Sequence, residues 1–377
     1  MNRPNKGFSL VEIMVGLGIG MLAMIVMMQV FSAFEGQKRT TTGGADAQSN
    51  GAVALYMVER DVKMAGWGMD SSIYASCNVT YSYCDGTAVC GGDTGAISDL
   101  SFASVRVTDG GANPDTLAIQ YFADPDFNSF RIPANTTLRS SMPQSSSELN
   151  VTSTSGCVDG GMVLVQQGGN CTLMKITTIQ GTALKIQHNP GAGGEYNPPV
   201  NFQNDNNWPA YTQGARLSCF AAAPSAAVFQ RIYSVNATTR SLQKTDTTVT
   251  PVITDEAMAS EIIDLQVQYG IAPIGVAPAN QKINEWANAT GIWANTATTP
   301  TVANWKRVKA VRVAMVARSS QYEKPDTSGV CSTTSDAAAW STWATFNTTN
   351  YPSDWKCYRY KVFETTIPLR NILWANI

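Results

Sequence analysis

The chain has 377 residues, a formal net charge of −2 and only 14% charged residues, against ~25% in average soluble domains. That balance gives no general attraction to nucleic acid, and a single histidine leaves little from which to build an imidazole-based catalytic or metal centre. The eight cysteines, an even number, read as disulfides formed in an oxidising, exported setting.

Residues 1–7 are short and basic, with Arg3 and Lys6, and Gly7-Phe8-Ser9-Leu10-Val11-Glu12 opens an apolar run that lasts to Phe34. A basic leader before an apolar run reads as export with the leader kept on the cytoplasmic side. The leader is shorter than an ordinary signal n-region, and no Ala-x-Ala-like cleavage site follows the apolar segment. As a helix, residues 8–28 would rise about 30 Å and match a hydrocarbon core. An ionised carboxylate inside such a helix costs roughly 2.5 kcal/mol or more, so Glu12 calls for a cation. Gly16, Gly18 and Gly20 give a small-xxx-small spacing, either a helix-packing face or the glycine common in membrane helices.

Residues 35–49 are polar, and Gly43-Gly44 predicts a weak point or kink. Ala52, Leu55, Val58, Val62 and Ala65 then recur at helical spacing, with Glu59, Arg60, Asp61 and Lys63 assigned to the other faces, which predicts one buried stripe. Gly66-Trp67-Gly68 ends the helix.

Beyond residue 70 the pattern is strand and turn. Residues 116–122 alternate as a strand, and 162–166 and 173–177 flank Gly168-Gly169-Asn170 as a hairpin. Residues 183–187 follow. Residues 229–235 and 240–244 pair across a turn, and 262–269 run to Gly270. Residues 308–318, apolar on both faces, predict a central buried strand, and 358–366 form the last. Local links dominate, so the sheet is expected to be mainly antiparallel. Roughly 300 residues outside the membrane have room for two sheet lobes.

The cysteines are Cys77, Cys84, Cys90, Cys157, Cys171, Cys219, Cys331 and Cys357. Close spacing favours Cys157–Cys171 and Cys331–Cys357, which leaves one of the first three to reach Cys219. No Cys-x-x-Cys occurs, so no metal site is expected. His188 has no Gly-x-Ser-x-Gly partner and there is no phosphate loop, so neither enzyme activity nor a cofactor is expected. Asp124-Pro125-Asp126 is too sparse for an EF-hand-type calcium loop. Trp286, Trp293, Trp305, Trp340, Trp343 and Trp355 concentrate in the C-terminal third, as packing residues or as an aromatic binding surface. Lys306, Arg307, Lys309 and Arg312 form a small basic cluster, read as a solvated strand entry rather than a DNA contact.

The opening segment resembles the class III signal of type IV pilins. The order of Glu59-Arg60-Asp61, Ala65-Gly66-Trp67, Asp115-Thr116-Leu117, Met162 to Val165, Tyr233-Ser234-Val235-Asn236, Gln266-Val267-Gln268-Tyr269-Gly270 and Pro368-Leu369-Arg370-Asn371 is similar to PilW-like minor pilins. That resemblance implies an α+β pilin fold, in which a long N-terminal helix packs on a disulfide-stapled antiparallel β domain. It divides the chain into a leader (1–7), a membrane and filament-core helix (8–34), its amphipathic continuation (35–68) and an exported globular domain (69–377). It further implies cleavage between Gly7 and Phe8 by prepilin peptidase, N-methylation of Phe8, and Glu12 acting in assembly. The implied partners are the inner membrane, other minor pilins, the major pilin and a large tip adhesin. The implied role is priming a type IV pilus at low copy. A type II secretion pseudopilin of the J class and an anchored adhesin or carbohydrate binder are the alternatives.

Overall fold

The computed structural model describes residues 7, 9–67, 79–83, 103–121, 134–142, 148–189, 196–220, 229–246, 252–275, 282–295, 300–326, 328–335, 341–348 and 351–373. Phe8, Gly68, Cys77, Cys84, Cys90, Asp124, Asp126 and Trp340 lie outside them.

The first element, α1 (Leu10–Met64), is one continuous helix of 55 residues. Its start is fixed by a capping box: Ser9 Oγ accepts from the Glu12 amide at 3.2 Å, and Glu12 Oε2 accepts from the Ser9 amide at 3.1 Å. The expected kink at Gly43-Gly44 does not form. Gly43 is instead a point of close approach, where a Cβ would lie 3.0 Å from Ser319 Cβ. Gly51 plays the same part beneath the ring of Phe363.

The buried stripe keeps the expected Val58, Val62 and Ala65 but departs from the expectation at Ala52 and Leu55. It comprises Gly43, Ala47, Gly51, Ala54, Val58, Asp61 and Val62, while Ala52 is exposed and Leu55 half-buried. Small residues, which weigh little in an apolar pattern, let the helix lie close to the sheet. The helix ends at Ala65, followed by Gly66 in the left-handed region at φ 76°.

The next strands are β1 (Val79–Tyr81), β2 (Val105–Thr108), β3 (Thr116–Tyr121), β4 (Ala134–Thr137) and β5 (Leu149–Asn150). Then come β6 (Met162–Gln167), β7 (Asn170–Lys175), β8 (Thr178–Gln180), β9 (Lys185–Gln187) and β10 (Arg216–Phe220). The remainder are β11 (Phe229–Asn236), β12 (Ser241–Asp246), β13 (Ile253–Ser260), β14 (Ile262–Ile271), β15 (Glu285–Ala287), β16 (Val308–Arg318) and β17 (Tyr360–Pro368).

These strands make four sheets, ordered β1-β7-β6-β10-β4, β13-β12-β11-β3-β2, β15-β14-β16-β17 and β5-β9-β8. Pairing is antiparallel except between β1 and β7. The β6–β7 hairpin turns on Gly168 and Gly169, both at positive φ, as a two-residue turn requires. β16 is central and buried on both faces. β14 does not stop at Gly270, where the missing side chain makes room for the Trp286 ring.

The chain leaves the second sheet after β3, builds β4 to β10, and returns to β11, which pairs with β3. The two lobes are therefore nested. The main core joins α1 to the second and third sheets and to one face of the first sheet, through Met162, Leu164, Cys171 and Leu173. A second core of Val163, Val165, Met174, Leu217 and Cys219 lies on the other face, beneath β5 and β9.

That alternation explains the disulfides. Cys157 bonds Cys219, and Cys331 bonds Cys357 as its spacing favoured. The expected Cys157–Cys171 pair does not form. Cys171 is bonded elsewhere, because it sits on the opposite face of the sheet, beside Gln166 at the far end of β6. Cys219 stands opposite Val163 near the end where Cys157 enters.

Candidate assembly site and the clamp that holds its helix

Two halves of α1 have opposite surroundings. Residues 10–34 are exposed, although Leu10, Ile13, Leu17, Ile25, Phe31 and Phe34 are apolar, and this half is long and apolar enough to cross a membrane. An apolar helix surface of this extent is stable only in lipid or against other protein. Gly16, Gly18 and Gly20 open onto empty space within this helix, which leaves room for a neighbouring backbone. Gly7 is exposed, and Glu12 is engaged in the capping box.

From Thr40 onward the helix is held. Glu323 accepts from the Thr40 hydroxyl at 2.8 Å and pairs with Arg359 at 2.7 Å. Ser320 donates to Asp46 at 2.6 Å. The strongest anchorage lies near the C-terminus. Asp61, assigned from sequence to a solvent face, is 1% exposed. It receives Arg231 Nη1 at 3.2 Å and Tyr233 Oη at 2.6 Å, both from β11. Arg231 donates Nε to Asp246 of β12 at 2.9 Å, and Arg60 closes over Asp61 at 3.1 Å. A buried charge needs a partner, and here the partners come from two strands, so helix and sheet are fixed in one register.

Two further pairs of distant segments meet. Asn371 Nδ2 donates to Met64 O at 3.3 Å and Ala65 O at 3.1 Å, which satisfies carbonyls left open at the helix end. The Gly66 amide donates to Gln120 O at 2.8 Å. Asp115 joins the second sheet to the third, accepting from the Gly110 and Val267 amides at 2.8 Å each. Burial pushes the Asp115 carboxyl up to about 6, and the nearby Asp109 and Asp264 push the same way. Beside it, Tyr269 Oη accepts from the Val107 amide at 2.5 Å. The Asn371–Ala65 and Asp115–Val267 contacts join segments that the sequence presents as separate motifs.

A family model described as prokaryotic N-terminal methylation motif matches residues 2–28, and one described as type IV pilus-assembly protein W (PilW) matches residues 230–371. The two matched regions are those of a PilW-like type IV pilin. No curated protein matches it. Among solved structures, a type IV-like pilin from Thermus thermophilus is similar at 12% identity, with 57% of this chain and 87% of that one covered and a TM-score of 0.21. That likeness is loose and is given no weight. The PilW match begins at β11, where the nested lobe has rejoined the second sheet, and runs to the Asn371 cap.

The other candidate residues of this PilW-like chain separate into packing and surface. Trp293 and Trp305 are buried, their rings 6.4 and 5.6 Å from Tyr269. Arg312 lies between Trp286 and Trp343, 4.8 and 4.4 Å from the ring centroids. The basic cluster is not one surface: Arg307 Nε binds Ala272 O at 2.9 Å, Lys309 is buried, and Arg312 Nε binds Gln268 at 2.8 Å. Burial lowers the Lys309 amine. His188 is buried at the end of β9. Among the described residues, no group of three His, Cys, Asp or Glu is gathered in a geometry that could hold a metal.

Sequence reasoning missed Asp61 as a buried anchor. The available signal was its place four residues before Ala65 and three after Val58, on the buried side of the helix.

Proposed function

We propose that this PilW-like chain is a minor pilin of a type IV pilus, incorporated at low copy near the tip and helping to prime assembly with other minor pilins. The observation that carries this reading is the continuity of α1. One unbroken helix presents an exposed apolar half that lies largely within the matched methylation motif and is clamped to the globular domain through its other half. Such a helix serves first as a membrane anchor and then as filament core.

Prepilin peptidase would cleave between Gly7 and Phe8, and Phe8 would be N-methylated. The new amine would adjoin Ser9 and the Glu12 carboxylate, supplying a cation for that carboxylate when the helix lies in an apolar medium. The leader would face the cytoplasm, with the globular domain periplasmic before assembly and at the cell surface afterwards. Other minor pilins, the major pilin and a large tip adhesin are the partners this role requires. The role is structural rather than enzymatic.

Intact-mass and N-terminal analysis of sheared filaments and of membranes tests the reading. A chain beginning at methylated Phe8, present in trace amount in the filaments, supports it. Mature chain confined to the envelope would favour a type II secretion pseudopilin. A chain retaining residues 1–7 would overturn both.

A further inference from the structure

The segment between β16 and β17 begins with the Ser320 and Glu323 contacts to α1, but its part from Ser341 to Cys357 takes no role in the assembly reading. It is closed by Cys331–Cys357 and packs through Trp343, Ala344 and Phe346 on Ala314 and Val316 of the third sheet. Those two residues alternate with Val313, Met315 and Ala317, which belong to the core shared with α1. Trp343, Ala344 and Phe346 therefore cover the face of the sheet turned away from the helix.

A cavity of about 510 Å³ opens in this segment, lined by Trp343, Phe346 and Trp355 together with the hydroxyls of Thr342, Thr345 and Thr348. Its volume is within the range of small-ligand sites. Among the described residues no carboxylate lines it, and Lys356 is the one charged residue in its lining. A phosphate-bearing ligand would call for several cations or converging backbone amides, and a peptide helix for a continuous apolar groove. Aromatic walls beside hydroxyls suit a ligand with apolar C–H faces and a rim of hydroxyls.

The key wall is also pre-set. Ser341 Oγ accepts from the Trp343 and Ala344 amides at 3.2 and 2.9 Å, which fixes the turn carrying the indole. The Arg312 guanidinium supports the ring from the sheet side and is itself held by Gln268 and Trp286. A ring fixed before binding loses little freedom on binding.

We propose that this cleft binds a saccharide. The site stands apart from the pilin role, so its failure would leave that role intact.

The test uses the full chain in detergent on a glycan array, followed by fluorescence titration with the best-bound oligosaccharide. Trp343→Ala should weaken affinity by about tenfold or more. Thr342→Ala with Thr345→Ala should weaken it several-fold while near-ultraviolet circular dichroism stays unchanged, since both threonines are exposed. Trp293→Phe, in the core, should leave affinity unchanged. The proposal is overturned if no saccharide on the array binds. It is overturned equally if the double threonine variant binds as tightly as the parent.

Discussion

Tyr233 Oη donates to Asp61 Oδ2 at 2.6 Å, joining the last turns of α1 to the middle strand of the second sheet. Arg231, two residues away on the same strand, donates to the other oxygen of the same carboxylate. The helix is thus keyed to one strand by a two-point contact, and the apolar residues around it fill the space that remains.

Removing Asp61 should be the most damaging polar substitution in the chain. Asp61→Ala removes one of the carboxylates that pair the buried Arg231 guanidinium, at a cost of about 3–5 kcal/mol. Tyr233→Phe should cost about 1–3 kcal/mol, since it strips one donor from the carboxylate. Denaturant titration of the full chain in detergent measures both. Equal, small losses for the two variants would mean that the cluster does not clamp the helix.

The glycines of α1 should respond in opposite directions. Gly44 faces open space, so Gly44→Ala should raise stability by up to about 1 kcal/mol through helix propensity. Gly51→Ala would drive a Cβ into the Phe363 ring, 2.0 Å from Cε2, and overpacking of this kind costs about 1–3 kcal/mol. A rise in melting temperature for both variants would show that Phe363 moves aside without penalty.

Asp115 predicts a pH dependence of definite sign. Its folded pKa, about 6, is raised above the ordinary value of 3.8, chiefly by burial. Its contribution to stability is therefore fully present below pH 3.8 and is lost as pH rises through 6. The difference in unfolding free energy between the parent and Asp115→Asn, followed from pH 4 to pH 8, should move against the parent by on the order of 3 kcal/mol. Asp109 and Asp264 face the same carboxyl, so Asp264→Asn should reduce the shift. A flat difference curve would show that the Gly110 and Val267 amides hold the charge without cost.

Disulfide mapping of the unreduced protein should return Cys157–Cys219 and Cys331–Cys357. Loss of the first, as Cys157→Ser with Cys219→Ser, should cost about 2–5 kcal/mol and loosen the nested lobe first. A Cys157–Cys171 peptide in the digest would contradict the face assignment of the first sheet.

Strong patterns were legible in the sequence and weak ones were not. β16 has the predicted bounds because its apolar run is long and buried on both faces. The hairpin at Gly168-Gly169 was readable because its turn demands positive φ at both positions. Val58, Val62 and Ala65 were read correctly, but the stripe's other buried positions, Gly43, Ala47, Gly51, Ala54 and Asp61, were missed because most carry almost no hydrophobic signal. Edge strand β13, exposed over Ile253–Asp255 and held to β12 by backbone pairing, offers no alternation to read. Nor does local sequence say that β3 and β11 are neighbours, so the nesting of one lobe inside the other became visible only in the fold. Asp61, Tyr233, Asp115 and Asn371 stood within motifs noted in order, but the contacts that give them meaning span more than a hundred residues.

The Asn371 cap sets a timetable. The first helix of the chain is completed by a residue near its end, and the strands that cover its buried stripe, β16 and β17, are among the last to be made. On the proposed pilin route, the anchored helix would emerge first, its docking side uncovered until the C-terminal segment had crossed the membrane. A chain cut short before Tyr360 should therefore stay anchored yet be digested along residues 40–64 by added protease, whereas full-length protein resists there. On that route maturation would be gated by arrival of the tail, and a secretion defect that delayed the tail would expose the helix before it harmed the sheets.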